Sequence, residues 1–325
     1  MLGKFAPLHK GHQYLIEAAL KEMSEVMVMI YDCPETIDIP LQVRANWIRR
    51  LYPRVKVVEA WDGPTETGHD PRIMKLNEDY ILKTIKVPIT HFFSSEWYGE
   101  HVSKALKSKN VVVDMERKKF PTSGTAVRKD PWRNKKFLDP IVFNDMVKRV
   151  VFLGAESTGK STIAKKMAEI YGTEWMPEFG REYWDKNNVD GKLSPGQLVE
   201  LAMGHLERED KLLQEAKKYL FVDTNAITTE MFSRFYHGYA LPKLEQMSKG
   251  AEKKYDVYFV CETDIPYEED GTRSGEKHRK IFQQQIKDDL VRRGIEYVLL
   301  KGALKERANK VKKVLEKNYL ISSGS

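Results

Sequence analysis

The chain has 325 residues, room for two domains, and its 41% hydrophobic and 31% charged residues describe an ordinary globular protein. No apolar run approaches the length of a bilayer span, and no charged n-region leads into an apolar stretch with a cleavage site, which predicts a cytoplasmic protein. The net charge of +7 suits nucleic acid or polyphosphate ligands equally and does not choose between them.

In chain order, the first distinctive stretch is GKFAPLHKGH, from Gly3 to His12. GKF would close a first strand and KGHQYL open a first helix, which places His9 and His12 at the carboxyl end of a strand, where helix N-termini present unpaired N–H groups to anions. Two imidazoles there can donate hydrogen bonds to phosphate oxygens as charge builds up during phosphoryl or nucleotidyl transfer. Gly11 permits close approach of a nucleotide to the backbone. Only Met1 and Leu2 precede Gly3, so the first strand is expected to be a stub unless the native start lies upstream.

Apolar runs then alternate with amphipathic stretches. Val26 to Tyr31, Val55 to Ala60, His91 to Ser95 and Val111 to Met115 read as buried strands, separated by segments such as GHQYLIEAALKEM and LQVRANWIRRLY. That is the β-α-β rhythm of a parallel sheet. The basic tracts ERKKF and RNKKF lack aromatic interleaving beyond one Phe each and read as solvated faces. TSGTAVR (Thr122 to Arg128) offers Ser123 and Thr125 at a helix start with Arg128 one turn in, a cap plus cation suited to phosphates.

The proline-bearing stretch KDPWRNKKFLDP marks a boundary near Asp145, dividing the chain into domains 1–145 and 146–321, with 322–325 set aside as a tail. The rhythm restarts at RVVFLGAESTGKST, a strand running through a glycine loop into a helix. Gly154 to Ser161 fits G-x-x-x-x-G-K-[ST] in the strand–loop–helix context a phosphate cradle requires. Gly154, Glu156, Ser157, Thr158, Gly159, Lys160, Ser161 and Thr162 are its candidate ATP-binding residues, with Lys160 on the β- and γ-oxygens and Ser161 on magnesium. Asp223 ends the apolar strand YLFVDT, the expected place for a partner to magnesium or to the acceptor hydroxyl. VYFVCE (Val257 to Glu262) and EYVLL (Glu296 to Leu300) continue the sheet. Glu178, Arg181, Tyr183 and Trp184 could hold ribose hydroxyls and a flat cation. EEDGTRSGEKHRKIF places Arg273, Lys277 and Arg279 in a loop running into a helix, a candidate phosphate-covering lid. Cys33 and Cys261 lie far apart, in no metal-ligand spacing, and suggest neither a disulfide framework nor a zinc site.

These stretches carry a resemblance. GKFAPLHKGH resembles the G-x-F-x-P-x-H-x-G-H signature of the nucleotidyltransferase superfamily, and TSGTAVR resembles its partner motif I-S-G-T-x-I-R. With a P-loop kinase behind it, and with SSEWYGE, EFGREYW, VDTNAITT and DGTRSGEKHR in order, the whole chain resembles the NadR-type bifunctional nicotinamide mononucleotide (NMN) adenylyltransferase and nicotinamide riboside kinase. The resemblance implies a Rossmann-like α/β nucleotidyltransferase domain followed by a P-loop kinase domain, both with parallel sheets. It implies that the kinase makes NMN from the riboside and that the first domain adenylylates it to NAD, with ATP as co-substrate and Mg2+ as cofactor. Lys4, His9, His12 and Arg128 would then act on the phosphates, and Gly3, Phe5, Gly11, Ser123 and Thr125 would bind ATP. Some family members begin with a DNA-binding helix-turn-helix; this sequence starts at the transferase motif, so small molecules are the expected partners, and a homo-oligomer stays open. Two rivals are a riboflavin kinase and FAD synthetase, whose kinase half has no P-loop, and a regulator that senses NAD or ATP without turnover.

Overall fold

The computed structural model describes residues 1–66, 68–188, 193–267 and 276–322. The chain divides into two compact units, Met1–Phe143 and Asn144–Asn318, apart from the chain end.

The first unit runs β1 (Leu2–Gly3), α1 (Lys10–Glu22), β2 (Val26–Tyr31), α2 (Leu41–Leu51), β3 (Val55–Ala60), α3 (Pro71–Thr84), β4 (His91–Ser94), α4 (Gly99–Ala105), β5 (Lys109–Val112) and α5 (Gly124–Lys129); α6 (Pro140–Met146) leads out of it. The unbroken apolar run of β2 is that of a strand covered on both faces, and β2 is the middle of the parallel set β1-β2-β3. β1 is the stub the sequence foresees, paired only through Leu2↔Met29 and Gly3↔Ile30. Instead of continuing into one sheet, β4 and β5 form a separate parallel pair. Tyr98, at the start of α4, donates its hydroxyl to Leu2 O at 3.0 Å. Met29, Tyr31, Ala60, Ile81, Phe92 and Val102 share one core. The fifth strand stops short of the expected Met115 because Asp114 turns the chain at φ 48° and its carboxylate accepts the N–H groups of Lys118 and Lys119.

The second unit runs β6 (Lys148–Leu153), α7 (Lys160–Tyr171), β7 (Trp175–Met176), α8 (Phe179–Asn187), α9 (Pro195–Glu215), β8 (Tyr219–Asp223), α10 (Ala226–His237), α11 (Pro242–Ala251), β9 (Val257–Cys261), α12 (Glu276–Arg292), β10 (Val298–Leu300) and α13 (Leu304–Ser322). Its five strands form one parallel sheet in the order β10-β9-β6-β8-β7. β8 and β9 are buried at every position, as apolar central strands must be when helices cover both faces. A reciprocal capping box of Ser194 and Gln197, with Pro195 in the first turn, starts the long α9. Gly204 lets α8 press onto α9, since a Cβ there would stand 2.6 Å from the Phe179 ring. β6 points its carboxyl end at the glycine loop and at the end of β8, the crevice where ligands bind in such sheets. Among the described residues no helix is long and apolar enough to cross a membrane. Both cysteines are free and buried.

Candidate functional site

The histidine motif folds as a tight turn from β1 into α1. Its backbone includes a cis Ala6–Pro7 bond and Phe5 at φ 45°. The His9 and His12 rings stack with centroids 3.7 Å apart and planes at 19°, and the buried Phe5 ring lies 4.9 Å from His12. Gly11 sits close under this stack: a Cβ there would come to 3.1 Å from the His9 ring, which would have to shift by a few tenths of an ångström. The backbone N–H of His9 donates to His12 Nδ1 at 3.3 Å, which assigns the proton of a neutral His12 ring to Nε2. Burial, then Arg117 and Arg128, hold His9 down at about pKa 4. Burial and then His9 hold His12 well below the usual histidine range. Both rings are therefore neutral hydrogen-bonding groups near pH 7, not cations.

Arg128 donates to Ala6 O at 2.6 Å and to Thr125 Oγ1 at 3.1 Å, which joins the second motif to the first. Ser123 caps α5 by accepting from Ala126 N at 3.1 Å. Gly3 packs ordinarily, its Cβ position 3.4 Å from the Phe5 ring. Lys4 is placed differently from the expectation: its ammonium pairs with Glu35 at 2.7 Å and bonds Thr36 Oγ1 at 3.2 Å. Sequence reasoning misses Arg117, in the tract read as a solvated face; it pairs with Glu96 at 2.9 Å and acts on both histidines. It also misses Arg44, fully buried, which donates to Lys4 O (2.5 Å), Tyr31 O (3.0 Å) and Ile39 O (2.9 Å) and so ties the ends of β1 and β2 together.

In the second unit the loop from Gly154 to Ser161 wraps the start of α7. Gly154 has φ 143°, and a Cβ there would stand 2.7 Å from Cys261 O; Gly159 has φ 79°. Lys160, 9% exposed, donates to Ala155 O at 2.9 Å, and Thr158 Oγ1 donates to the same carbonyl at 2.8 Å. Ser161 donates its hydroxyl to Asp223 Oδ2. Asp223 is wholly buried and its Oδ1 has no hydrogen-bond partner among the described residues. Burial and then Glu178 push its carboxyl upward, against Lys160, the Ser161 bond and Arg181. A buried carboxylate oxygen without a partner, beside a serine hydroxyl, suits a divalent cation or an acceptor hydroxyl.

Three side chains hold the outer side of the loop. Arg279 of α12, 2% exposed, donates to Glu156 O (3.1 Å), Ser157 O (2.9 Å) and Ile265 O (3.0 Å). Arg307 of α13 donates to Thr158 O (2.5 Å) and pairs with Asp264 (2.6 Å). Gln283 accepts from Ala155 N (2.8 Å) and donates to Cys261 O (3.0 Å). Arg279 is thus a buried strut of the loop rather than the lid cation the sequence suggests. Lys277 is exposed in the first turn of α12, and Arg273 lies outside the described residues.

A cavity of about 850 Å3 opens over the loop, with Gly154, Glu156 and the run Ser157 to Thr162 on its wall. Glu178, Arg181 and Trp184 line it. Tyr183 does not: its hydroxyl bonds Glu200 at 2.5 Å and its ring packs on Phe179, one turn earlier in α8. Thr228, from the stretch VDTNAITT, also lines the cavity, as do Trp175, His205, Phe232 and Tyr236, which no motif announces.

A parallel sheet with a glycine loop, lysine and serine opening a helix, and an aspartate closing the neighbouring strand, defines a P-loop nucleotide-binding protein, and residues 149–307 match the model of the AAA domain family. The chain is 29% identical over 326 residues to the "trifunctional NAD biosynthesis/regulator protein NadR" of Salmonella typhimurium strain LT2, covering 93% of this chain and 78% of that protein. The Escherichia coli K12 protein of the same description is 28% identical, covering 92% and 77%. A crystal structure of NadR protein in complex with NAD and AMP-PNP superposes with a TM-score of 0.56 at 20% identity, covering 100% of this chain and 95% of that one. A second, of NadR protein in complex with NR, gives 0.57 at 22% identity, covering 97% and 94%. The chain is thus similar in sequence to NadR proteins over most of its length, and it shares the fold of the two NadR structures.

Proposed function

We propose that the chain is a bifunctional transferase of NAD biosynthesis: unit two phosphorylates nicotinamide riboside to NMN with ATP, and unit one, a Rossmann-like nucleotidyltransferase, transfers AMP from ATP to NMN, giving NAD and pyrophosphate. The observation that carries this reading is the presence of two intact phosphate-handling sites, the stacked His9–His12 pair beside Arg128 and the Lys160 loop beside Asp223, in a chain similar to NadR proteins.

In the kinase the loop and Lys160 hold the β- and γ-phosphates, and Asp223 takes the proton of the riboside 5′-hydroxyl as its oxygen bonds the γ-phosphorus and ADP leaves. Glu178 and Arg181 act on Asp223, which supports a role for both at the same hydroxyl. Ser161 and Asp223 would hold Mg2+, whose chemistry is to neutralise the phosphate oxygens.

In the transferase the 5′-phosphate of NMN attacks the α-phosphorus in line and pyrophosphate departs. No side chain forms a covalent bond. His12 Nε2–H and Arg128 stabilise the charge that builds up on the phosphates, with Arg117 supplying further positive potential. ATP-consuming salvage of this kind belongs to the cytoplasm. Incubation of the full chain with ATP, Mg2+ and nicotinamide riboside should yield NAD with one ADP and one pyrophosphate per NAD. A preferred dinucleotide other than NAD, or no turnover of either substrate, would refute the reading.

A further inference from the structure

His205 lies on α9 in the same helical face as Leu198 and Leu201, and all three line the cavity of the second unit. The ring is 4% exposed, and its Nε2 is buried with no hydrogen-bond partner among the described residues. Glu209 stands one turn on, its Oε2 3.9 Å from His205 Nε2, too far for a hydrogen bond but near enough to set the ring's polarity. That carboxylate is itself wholly buried, accepts from the Tyr255 hydroxyl at 2.8 Å, and has Lys254 at 3.2 Å and Arg149 at 3.5 Å. A carboxylate facing Nε2 favours the tautomer with its proton there and leaves Nδ1 as an acceptor for the cavity.

Different charged groups act on Asp223 and on His205. Lys160, Glu178 and Arg181 act on Asp223. The charges that act on His205 are Lys254 and Arg208, which together with burial keep its ring neutral, down at about pKa 4. The apolar residues Trp184, Leu198 and Leu201 line the same cavity. A flat ring fits between such side chains, and the polar group it carries meets a neutral acceptor backed by a buried carboxylate.

We propose that His205 is a specificity-determining residue of the kinase, accepting at Nδ1 an N–H of the acceptor's carboxamide and disfavouring the corresponding carboxylate. The inference rests on the riboside-kinase reading above. A carboxamide donates where the site accepts. A carboxylate has no proton to donate and sets lone pair against lone pair.

The test compares nicotinamide riboside with nicotinic acid riboside as substrates of the full chain, by kcat/KM. The wild type should favour the amide by about thirtyfold or more. His205→Phe, which keeps ring volume without an acceptor, should cut that ratio about tenfold through the KM for the amide, with the KM for ATP unchanged; His205→Asn should recover part of it. An unchanged ratio in His205→Phe, or equal efficiency for both ribosides in the wild type, overturns the inference alone. Phosphorylation of neither riboside overturns the kinase reading and the inference with it. Should the variants fail to fold, 3-acetylpyridine riboside settles the matter with the wild type: it keeps the carbonyl but has no N–H to donate, so its KM should rise about tenfold, and an equal KM refutes the role of His205.

Discussion

The His9 and His12 rings lie face to face, 3.7 Å between centroids, at the point where the first strand becomes the first helix. Two imidazoles so close, His9 buried and His12 half-buried, resist protonation, since each added charge would lie against its neighbour with little water to screen it. With folded-state values depressed, His9 to about 4, the rings stay neutral as pH falls through 6.5, while the unfolded chain binds protons there. Histidine titration followed by NMR should therefore find the His9 ring, like that of His205, uncharged above about pH 5 and the His12 ring charging only well below 6.5, and the folded state should lose stability as pH falls below 6.5 from these groups. Titration of both near 6.5 would contradict the buried stack.

His12→Ala should lower adenylyl transfer by about 10² to 10³, the cost of one donor to developing charge, and leave riboside phosphorylation intact. Product analysis with NMN and with riboside as separate substrates checks it. Comparable loss of both activities in a folded variant would speak against two sites.

Lys160→Ala should do the reverse. The ammonium that follows the γ-phosphoryl group is lost, so phosphorylation should fall by about 10² or more while NAD is still made from supplied NMN. Riboside kinase assays of the variant provide the measurement, and a normal rate would remove Lys160 from the mechanism.

Gly154→Ala tests the loop's backbone. At φ 143° an L side chain is strained, and the Cβ would meet Cys261 O at 2.7 Å, backbone that cannot swing aside. A cost of about 1 to 3 kcal/mol in unfolding free energy is expected, with a raised KM for ATP, read by denaturant titration and kinase kinetics.

Arg44→Ala should destabilise the first unit by about 3 to 5 kcal/mol, because three carbonyls from three segments lose a buried cationic donor. Denaturant melts should show the loss, and adenylyl transfer should fall as Lys4 O and the motif beside it lose their anchor.

What was legible in the sequence is what neighbouring residues decide among themselves. The glycine loop with Lys160 and Ser161, the histidine turn, and the cap at Ser123 are short runs whose backbone geometry demands those residue types at those spacings. The apolar runs likewise announce β2, β6, β8 and β9, since a strand covered on both faces has no place for polar residues. Asp223 was legible as a strand end. What it would touch was legible only through the resemblance.

Tertiary structure decided where each long charged side chain spends its hydrogen bonds. Arg279 and Arg307 look in sequence like any helical arginine, yet they reach loop carbonyls 123 and 149 residues away. Lys4 turned to Glu35, Tyr183 to Glu200, and Arg117 toward two histidines, each settled by a partner remote in the chain. The His205–Glu209 pair has helical spacing that sequence could note, but only burial of α9 against the cavity makes one end of it face a ligand. The physical reason is one of range: a loop motif needs only its own backbone, whereas a buried cation must find carbonyls and carboxylates wherever the fold leaves them without water.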